Sequence, residues 1–491
     1  MNPQISRVAV SALVMLAALI VATTYWQVWA APALAERRDN AIQRVAEFSV
    51  DRGLIFASDG RTVLARNMRR RVGGKTLYFR RYPTGGLFAH AVGYSTQVRF
   101  RTGVERSHND FLTAANANLS TVVDRTLDRL RGSTIRGNNL VLTLHSRAQR
   151  VAMRALAGNC GAVAAIDPST GRVRVLATRP TYDPNVVERP GGFAQITRPR
   201  GGCQSPLLNR ATAGLYPPGS IFKVVTGAAA LESGRFTPAS PFSDPGYCTV
   251  YGRRVNNYDT TSPFGGVNLH QAMQYSINSV FCNIGKTLGG IEILEQGRRF
   301  GFYSDPPLDT PPEERTPSGL YNKGKLFFPE DNFAVDPGRL AFGQERMLVT
   351  PLQMAMVAGT VANRGVVMRP KLVRRVEARG GRVITTFGPD ELGRAMSAQT
   401  AADLTAMMAS VVSGGTGTAA QIPGVSVAGK TGTAETGVSG RNVTWFIAFA
   451  PVERPRVAIA VVLENQTGTG GTTAAPIAKQ VMEAMLPAGR T

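Results

Sequence analysis

Ser220 and Lys223 stand three residues apart in Tyr216-Pro-Pro-Gly-Ser220-Ile-Phe-Lys223, a spacing of about one helical turn. The Pro217-Pro218-Gly219 run breaks the chain just before the serine. Beyond it Ile221, Val224 or Val225, Ala228 and Leu231 mark one face of a helix ending at Gly234. Ser220 is therefore expected at a helix start, where backbone N–H groups favour developing negative charge. Lys223 should project from the same face. A serine hydroxyl is a poor nucleophile until an adjacent base takes its proton. A lysine serves as that base only when desolvation or a nearby cation lowers its pKa. Alone, the pair is better read as a helix cap followed by an exposed lysine.

Two more clusters, in chain order, supply what the pair lacks. Ser276-Ile277-Asn278 follows Leu269, Ala272 and Met273 at helical spacing. Residues i and i+2 do not share a helix face. For Ser276 and Asn278 to line one cleft, the helix must end there and another begin near Ser279. Ser276 could then relay a proton to a leaving amine, and Asn278 could orient Lys223 and a substrate amide. On an unbroken helix the same residues are a polar patch. Lys430-Thr431-Gly432-Thr433 follows Val425 and Val427, which alternate with small residues, so a strand should lead into Lys430. Gly432 lets a substrate backbone approach that strand closely. Lys430 with the Thr431 and Thr433 hydroxyls makes a carboxylate receptor, and its charge lowers the pKa of Lys223 by like-charge repulsion. The backbone N–H groups of Ser220 and Thr433 are the expected oxyanion hole.

Two other patterns compete for these residues. Gly424-Val-Ser-Val-Ala-Gly429-Lys430-Thr431 matches the phosphate-loop pattern G-x4-G-K-T. Such a loop needs its strand before the first glycine and a helix after the threonine. Here the strand falls inside the x4 stretch, and Gly432, Thr433 and Gly437 follow. Gly415-Thr-Gly417-Thr-Ala-Ala420, with Glu435 downstream, mimics a dinucleotide fingerprint. It follows a helical segment (Leu404, Met408, Val411) where the fingerprint needs a strand. His90, His108, His145 and His270 show no metal-ligand spacing. No cofactor and no metal are expected.

These residues must be positioned by a chain of 491 residues, enough for two or three domains. The net charge of +23 raises the question of nucleic acid. The arginines are scattered, however, and no helix-turn-helix, zinc-finger or RRM pattern accompanies them, so no nucleic-acid partner is expected. An anionic polymer or membrane surface suits the same field. Val8 to Ala31 is a charge-free apolar run between Arg7 and Arg37-Arg38, long enough to span a bilayer, with Tyr25, Trp26 and Trp29 at the outer interface. The alternative is a signal peptide cleaved at Ala33-Leu34-Ala35. The run is longer than a usual signal core, which favours an uncleaved anchor with everything after residue 32 outside the cytoplasm.

The expected division is thus a cytoplasmic tip and anchor (1–32), an Arg-rich region of short segments (33–155) and a larger domain (156–491). In the second, Leu54–Ala57, Asp59-Gly60 and Thr62–Ala65 read as a hairpin with a tight turn. In the third, 162–166 and 173–177 form another hairpin, 444–450 and 457–463 are strands, and Pro476 opens a final helix with Ile477, Val481 and Met485 on one face. Strands at both ends with helices between them indicate an α+β fold, an antiparallel sheet flanked by helices. Cys160, Cys203, Cys248 and Cys282 could form two disulfides in three ways in an exported chain, or stay reduced as small buried hydrophobes.

The triplet Ser-x-x-Lys, Ser-x-Asn, Lys-Thr-Gly is the signature of penicillin-interacting serine acyltransferases, and nearly the whole chain resembles a class B penicillin-binding protein. Arg52-Gly53-Leu54-Ile55 with Asp59-Gly60 and Leu64-Ala65 looks like the start of that family's pedestal, or dimerisation, domain. Tyr82-Pro83 through Ala89-His90 to Gly93-Tyr94 is similar to another stretch of it. Tyr216 to Lys223, Lys430-Thr-Gly-Thr-Ala434 and Thr350-Pro351-Leu352-Gln353 are close to the family's consensus, and the short length resembles a compact actinobacterial subgroup.

The resemblance implies a serine β-lactamase/transpeptidase-like domain on an extended pedestal with one transmembrane helix. It also implies D,D-transpeptidation of peptidoglycan stem peptides with release of D-alanine, acylation by β-lactams, and a SEDS-family glycosyltransferase partner using lipid-linked precursor. Ile277 departs from the small or polar residue many relatives carry there, which bears on β-lactam fit. A class A β-lactamase would need a Glu-x-x-x-Asn after the second cluster. Glu313 and Glu314 lie in that region, but Pro317 and Ser318 stand four residues on. A non-enzymatic scaffold predicts degraded motifs, and these are intact.

Overall fold

The N-terminal apolar residues form a helix, Pro3–Thr24, that is long and apolar enough to cross a membrane and is exposed along its apolar window among the described residues. The computed structural model describes residues 3–26, 48–97, 99–199, 202–257, 261–436 and 438–486. Trp29, Arg37-Arg38 and the alternative cleavage triplet Ala33-Leu34-Ala35 lie outside the described residues.

From Phe48 the chain builds the pedestal. The expected hairpin is present, with Ile55 opposite Ala65 and Phe56 opposite Val63. Asp59 Oδ1 closes its turn by accepting from the Arg61 and Thr62 N–H groups, each at 2.8 Å. Under this hairpin Glu105 is fully buried between Arg52 Nη2 (2.8 Å) and Arg80 Nε (2.6 Å). Burial alone would raise its carboxyl, but the two arginines hold it below its ordinary value.

Two segments cross the expected boundary near residue 155. The helix Ser146–Ala155 packs against the strand Val173–Arg179 and the final helix of the larger domain. Conversely, Val373–Glu377 and Val383–Thr386 join the pedestal strands. They complete a six-stranded sheet in the order Val383–Thr386, Val373–Glu377, Asn139–Leu142, Ile55–Phe56, Val63–Val72, Lys75–Arg81.

The larger domain is organised by five antiparallel strands in the order Ala428–Glu435, Asn442–Ala450, Val457–Gln466, Gly161–Ile166, Val173–Arg179. Alternate residues enter two different cores, so both faces are covered. Trp445, Ile447 and Phe449 join one core with the helices Lys223–Glu232, Pro351–Ala362 and Ala398–Gly414. Phe446, Ala448 and Ala450 join the other with Ser146–Ala155 and the final helix. The α+β reading describes this architecture.

Two boundaries differ from expectation. The final helix spans Gly470–Met485, with Pro476 inside it rather than at its start. A capping box between Thr469 and Thr472 starts the helix earlier, and a proline two turns in forfeits only one backbone donor. The strand bearing Lys430 begins at Ala428, because Val425 is taken up in a tight turn opposite Ile422. The cysteines form Cys160–Cys203 and Cys248–Cys282, with Cα–Cα separations of 5.6 and 6.2 Å. The second pair ties the hairpin at Tyr247–Val250 to the helix that begins with Asn278.

Candidate active site

Ser220 owes its position to the residues before it. Tyr216 exchanges backbone hydrogen bonds with Val349 (3.0 and 2.9 Å), and its hydroxyl donates to Glu464 at 2.7 Å, a carboxylate also held by Arg210 Nε at 2.8 Å. Trp445 Nε1 donates to Pro217 O at 2.9 Å, and the Gly219 N–H donates to Gly343 O at 3.1 Å. Gly219 has φ +54°, and a Cβ there would sit 2.9 Å from Thr433 O, so the turn needs glycine for both conformation and space. The expected helix start is a 3-10 turn, Gly219–Phe222, that runs into the helix Lys223–Glu232. Ser220 is half-buried there, and its hydroxyl makes no hydrogen bond among the described residues.

The break required at the second cluster is present. The helix Leu269–Gln274 ends, Ser276 takes φ +60°, and a new helix starts at Asn278. This turns Ser276 and Asn278 toward one amine. Lys223 Nζ donates to Ser276 O (2.7 Å), Ser276 Oγ (3.2 Å) and Asn278 Oδ1 (2.7 Å). Lys223 therefore engages the second cluster rather than the Ser220 hydroxyl in this state. Apo sites often tighten such contacts only when substrate is bound. Ile277 is buried in the main hydrophobic core, which absorbs its bulk.

Lys430 Nζ donates to the same Ser276 Oγ at 2.7 Å and to Thr431 O at 3.1 Å, so one hydroxyl bridges two buried amines. Burial, then the charge of Lys430, pushes the Lys223 amine well below its ordinary pKa. Burial brings Lys430 down to about 7. Thr431 Oγ1 is paired with Thr416 Oγ1 at 2.6 Å, and the half-buried Thr433 accepts from the Gly470 N–H at 3.2 Å. Gly432 sits where a Cβ would lie 2.9 Å from both Pro218 O and Ile221 Cγ2. The Lys430 strand, at the edge of the sheet, thus closes directly on the Ser220 turn. All eight expected site residues lie along this one junction.

The phosphate-loop alternative does not fit, since Thr431 lies inside the strand Ala428–Glu435, where such a loop needs a helix to begin. Glu313 pairs with Arg106, and Glu314 accepts from the Gly103 N–H at 2.9 Å, so both carboxylates are engaged with the pedestal.

Several supporting residues were not foreseen. Asn278 Nδ2 donates to Asn256 O at 3.0 Å, which aims its oxygen at Lys223. Beneath it the buried Asp244 accepts from Ser279 Oγ (2.5 Å), Asn257 Nδ2 (2.9 Å) and the Gly246 and Phe264 N–H groups (2.9 and 3.0 Å). No local pattern announces Asp244, because apart from the Gly246 N–H in its own turn its partners come from three other segments. Thr416 lay within the glycine cluster dismissed as a dinucleotide motif. Gly470 is fixed by contact, since a Cβ would lie 2.2 Å from Trp445 O. Asp244→Ala should leave several buried donors unpaired, a loss of several kcal/mol of stability at roughly 1–3 kcal/mol per orphaned group. It should also slow acylation by penicillin by freeing Asn278, a double effect that thermal unfolding and acylation kinetics would each register.

Comparison with known proteins follows the same lines. Residues 161–483 match the penicillin binding protein transpeptidase domain, and residues 52–140 match the penicillin binding protein A dimerisation domain. The chain is similar to the peptidoglycan D,D-transpeptidase PbpA of Mycolicibacterium smegmatis, at 35% identity over 100% of both chains. It is equally similar to PbpA of Mycobacterium tuberculosis, at 35% identity over 99% of each. The imipenem acyl-enzyme complex of penicillin-binding protein A from M. tuberculosis superposes with a TM-score of 0.79 at 33% identity, covering 90% of this chain and 100% of that one. With most of its length matched by family domains and all of it aligned to such relatives, the chain belongs to the penicillin-binding protein family of transpeptidases.

Proposed function

We propose that this protein is a peptidoglycan D,D-transpeptidase that works through an acyl-enzyme on Ser220. The observation that carries this is the Ser276 hydroxyl held between the buried amines of Lys223 and Lys430, beside the Ser220 turn and along the Thr433 strand. Neutral Lys223 takes the Ser220 proton as Oγ attacks the carbonyl between the two terminal D-alanines of a stem peptide. The N–H groups of Ser220 and Thr433 receive the oxyanion. As the carbon–nitrogen bond breaks, the proton passes from Lys223 through Ser276 to the departing D-alanine amine. Asn278 holds Lys223 and a substrate amide. An amine of a neighbouring stem then attacks the ester, loses its proton by the reverse route and restores the Ser220 hydroxyl.

Lys430, Thr431, Gly432 and Thr433 form the substrate side. Lys430 is buried and Thr431 is committed to Thr416. Thr433 therefore offers the direct contact to the terminal carboxylate while Lys430 supplies charge from beneath. β-Lactams carry an equivalent carboxylate beside a strained amide and acylate the same serine. The helix Pro3–Thr24 anchors the protein by a single pass, with the pedestal and the transpeptidase domain both outside the cytoplasm. From the family resemblance, its membrane partner is a SEDS-family glycosyltransferase that polymerises the lipid-linked precursor.

The engagement of Glu313 and Glu314 with the pedestal favours transfer over hydrolysis. The test offers the protein a donor peptide ending in D-Ala–D-Ala together with an amine acceptor. Cross-linked product and free D-alanine in equal amounts, both lost in Ser220→Ala, are expected. Rapid, repeated hydrolysis of penicillin without cross-linking would identify a hydrolase instead.

A further inference from the structure

The pedestal helix Leu119–Leu130 has an apolar stripe that none of the described residues covers. Leu119, Val123, Leu127 and Leu130 recur at intervals of four, four and three residues and are 77%, 47%, 41% and 79% exposed, while Thr121 is the one buried residue of the helix. The helix is held from its other side by polar contacts. Asn118 caps it, Thr121 Oγ1 donates to Asn138 (3.3 Å), Arg125 donates to Ala114 O (3.3 Å) and Arg382 pairs with Asp124 (2.8 Å). A surface helix normally turns such a stripe inward. Here it is presented outward.

The place of this helix in the fold indicates what meets it. Its C-terminal connection returns to Asp51, where Arg136 bridges to that residue and the Asp51 N–H donates to Ile135 O at 3.0 Å. Asp51 lies just after Phe48, where the chain arrives from the N-terminal helix. The intervening segment spans at most roughly 75 Å when fully extended, so the pedestal stays within that reach of any membrane that the helix enters. Asp51 Oδ1 also accepts from Asn67 at 2.6 Å, on the strand whose exposed far end carries Arg69, Arg70 and Arg71. Arg69 and Arg70 lie over the Tyr78 and Phe79 rings (5.8 and 5.5 Å), while Arg71, Arg129 and Arg131 make no ion pair among the described residues. An outward apolar stripe with the exposed Arg129 and Arg131 at its end is the pattern of a helix lying in the interface of an anionic bilayer. Four side chains on three turns fall well short of the roughly 800 Å² per partner of a standard protein interface. Tethering to the same membrane removes that requirement for a lipid surface.

We infer that the helix Leu119–Leu130 docks on the outer surface of the membrane that holds the N-terminal anchor, with its leucines at the boundary between headgroups and acyl chains and its arginines on anionic lipid. This rests on the single-pass anchor proposed above. Because all four cysteines are in disulfides, a thiol introduced at one position can be labelled alone. The full chain, as Leu127→Cys or Phe333→Cys, would carry an environment-sensitive fluorophore in nanodiscs of phosphatidylglycerol and phosphatidylcholine, one chain per disc. Phe333 is 89% exposed on the larger domain and serves as the control. Acylation by penicillin would verify the fold of each variant.

Spin-labelled lipid should remove most of the fluorescence at 127 and leave 333 unchanged. Adding Val123→Asp and Leu130→Asp should restore the signal at 127. A label at 127 that stays as bright as at 333 overturns the docking. So does one shielded from aqueous quencher yet untouched by the lipid quencher, which would assign the stripe to protein, whether a second copy or residues 27–47. A chain that fails to enter discs overturns the anchor and this inference with it. A chain that enters with 127 unquenched overturns the docking alone.

Discussion

Lys223→Met should slow acylation of Ser220 by penicillin by about 10²- to 10⁴-fold, the usual worth of a positioned general base. Methionine keeps much of the volume of the lysine stem, so the packing against Phe281, whose ring centroid lies 5.4 Å from Nζ, should survive. Stability is pulled in two directions. Removing a buried amine relieves its desolvation, while Ser276 O and Asn278 Oδ1 each lose a donor at 2.7 Å. The melting temperature should therefore move far less than the rate. Lys223→Arg should not rescue activity, because a guanidinium stays protonated and cannot accept the serine proton. If Lys223→Met acylates at near wild-type rate, the base is some other group, with Ser276 the first alternative given its bond to Lys430.

Lys430→Met is expected to change the pH dependence as well as the rate. Losing the charge beneath the carboxylate site should slow acylation roughly ten- to a hundredfold, equivalent to about 1.5–3 kcal/mol for a charge-assisted contact. In the free enzyme, activity should rise as Lys223 loses its proton and fall as Lys430 loses its own near pH 7. The two amines share a hydroxyl, so these limbs belong to the pair. Without Lys430 the falling limb should disappear. The rising limb should move to higher pH, because Lys223 loses the charge that helps keep it neutral. That move should be partial, since burial is the larger cause of the Lys223 shift and remains in the variant. Lys430→Arg keeps the charge without the compact geometry and should recover part of the rate. Acylation rates measured against pH for all three proteins decide the matter. An unshifted rising limb in Lys430→Met would remove the coupling between the lysines.

How much of this was legible in the sequence depended on how local the cause was. The breaks before Ser220 and at Ser276 follow from Pro-Pro-Gly and from two polar side chains that cannot share a helix face. The strand hairpins follow from alternation and a single Asp-Gly turn. What escaped is long-range. Asp244, Asn257 and Ser279 meet only once the disulfide-tied hairpins fold back on the helix of Asn278. Val373–Thr386 is an ordinary strand pair in sequence, and only the tertiary fold sends it to the pedestal sheet. Thr416 was hidden inside a pattern rejected for a sound reason, because the test applied to it concerned nucleotides and not the Lys430 strand. Pro476 misled because a capping box two turns earlier outweighed a single missing donor. The lysine geometry was half visible. The charge of Lys430 was expected to lower the Lys223 pKa, yet burial is the larger cause, and burial is a property of the packed core.

The most direct test of the central claim is to locate the acyl group. Full-length protein is mixed with penicillin, quenched, digested and mapped by mass. The expected result is a single penicilloyl adduct on the peptide that contains Ser220, absent in Ser220→Ala and still on Ser220, though slower to form, in Lys223→Met. An adduct on Ser276, or adduct formation that persists in Ser220→Ala, would contradict it.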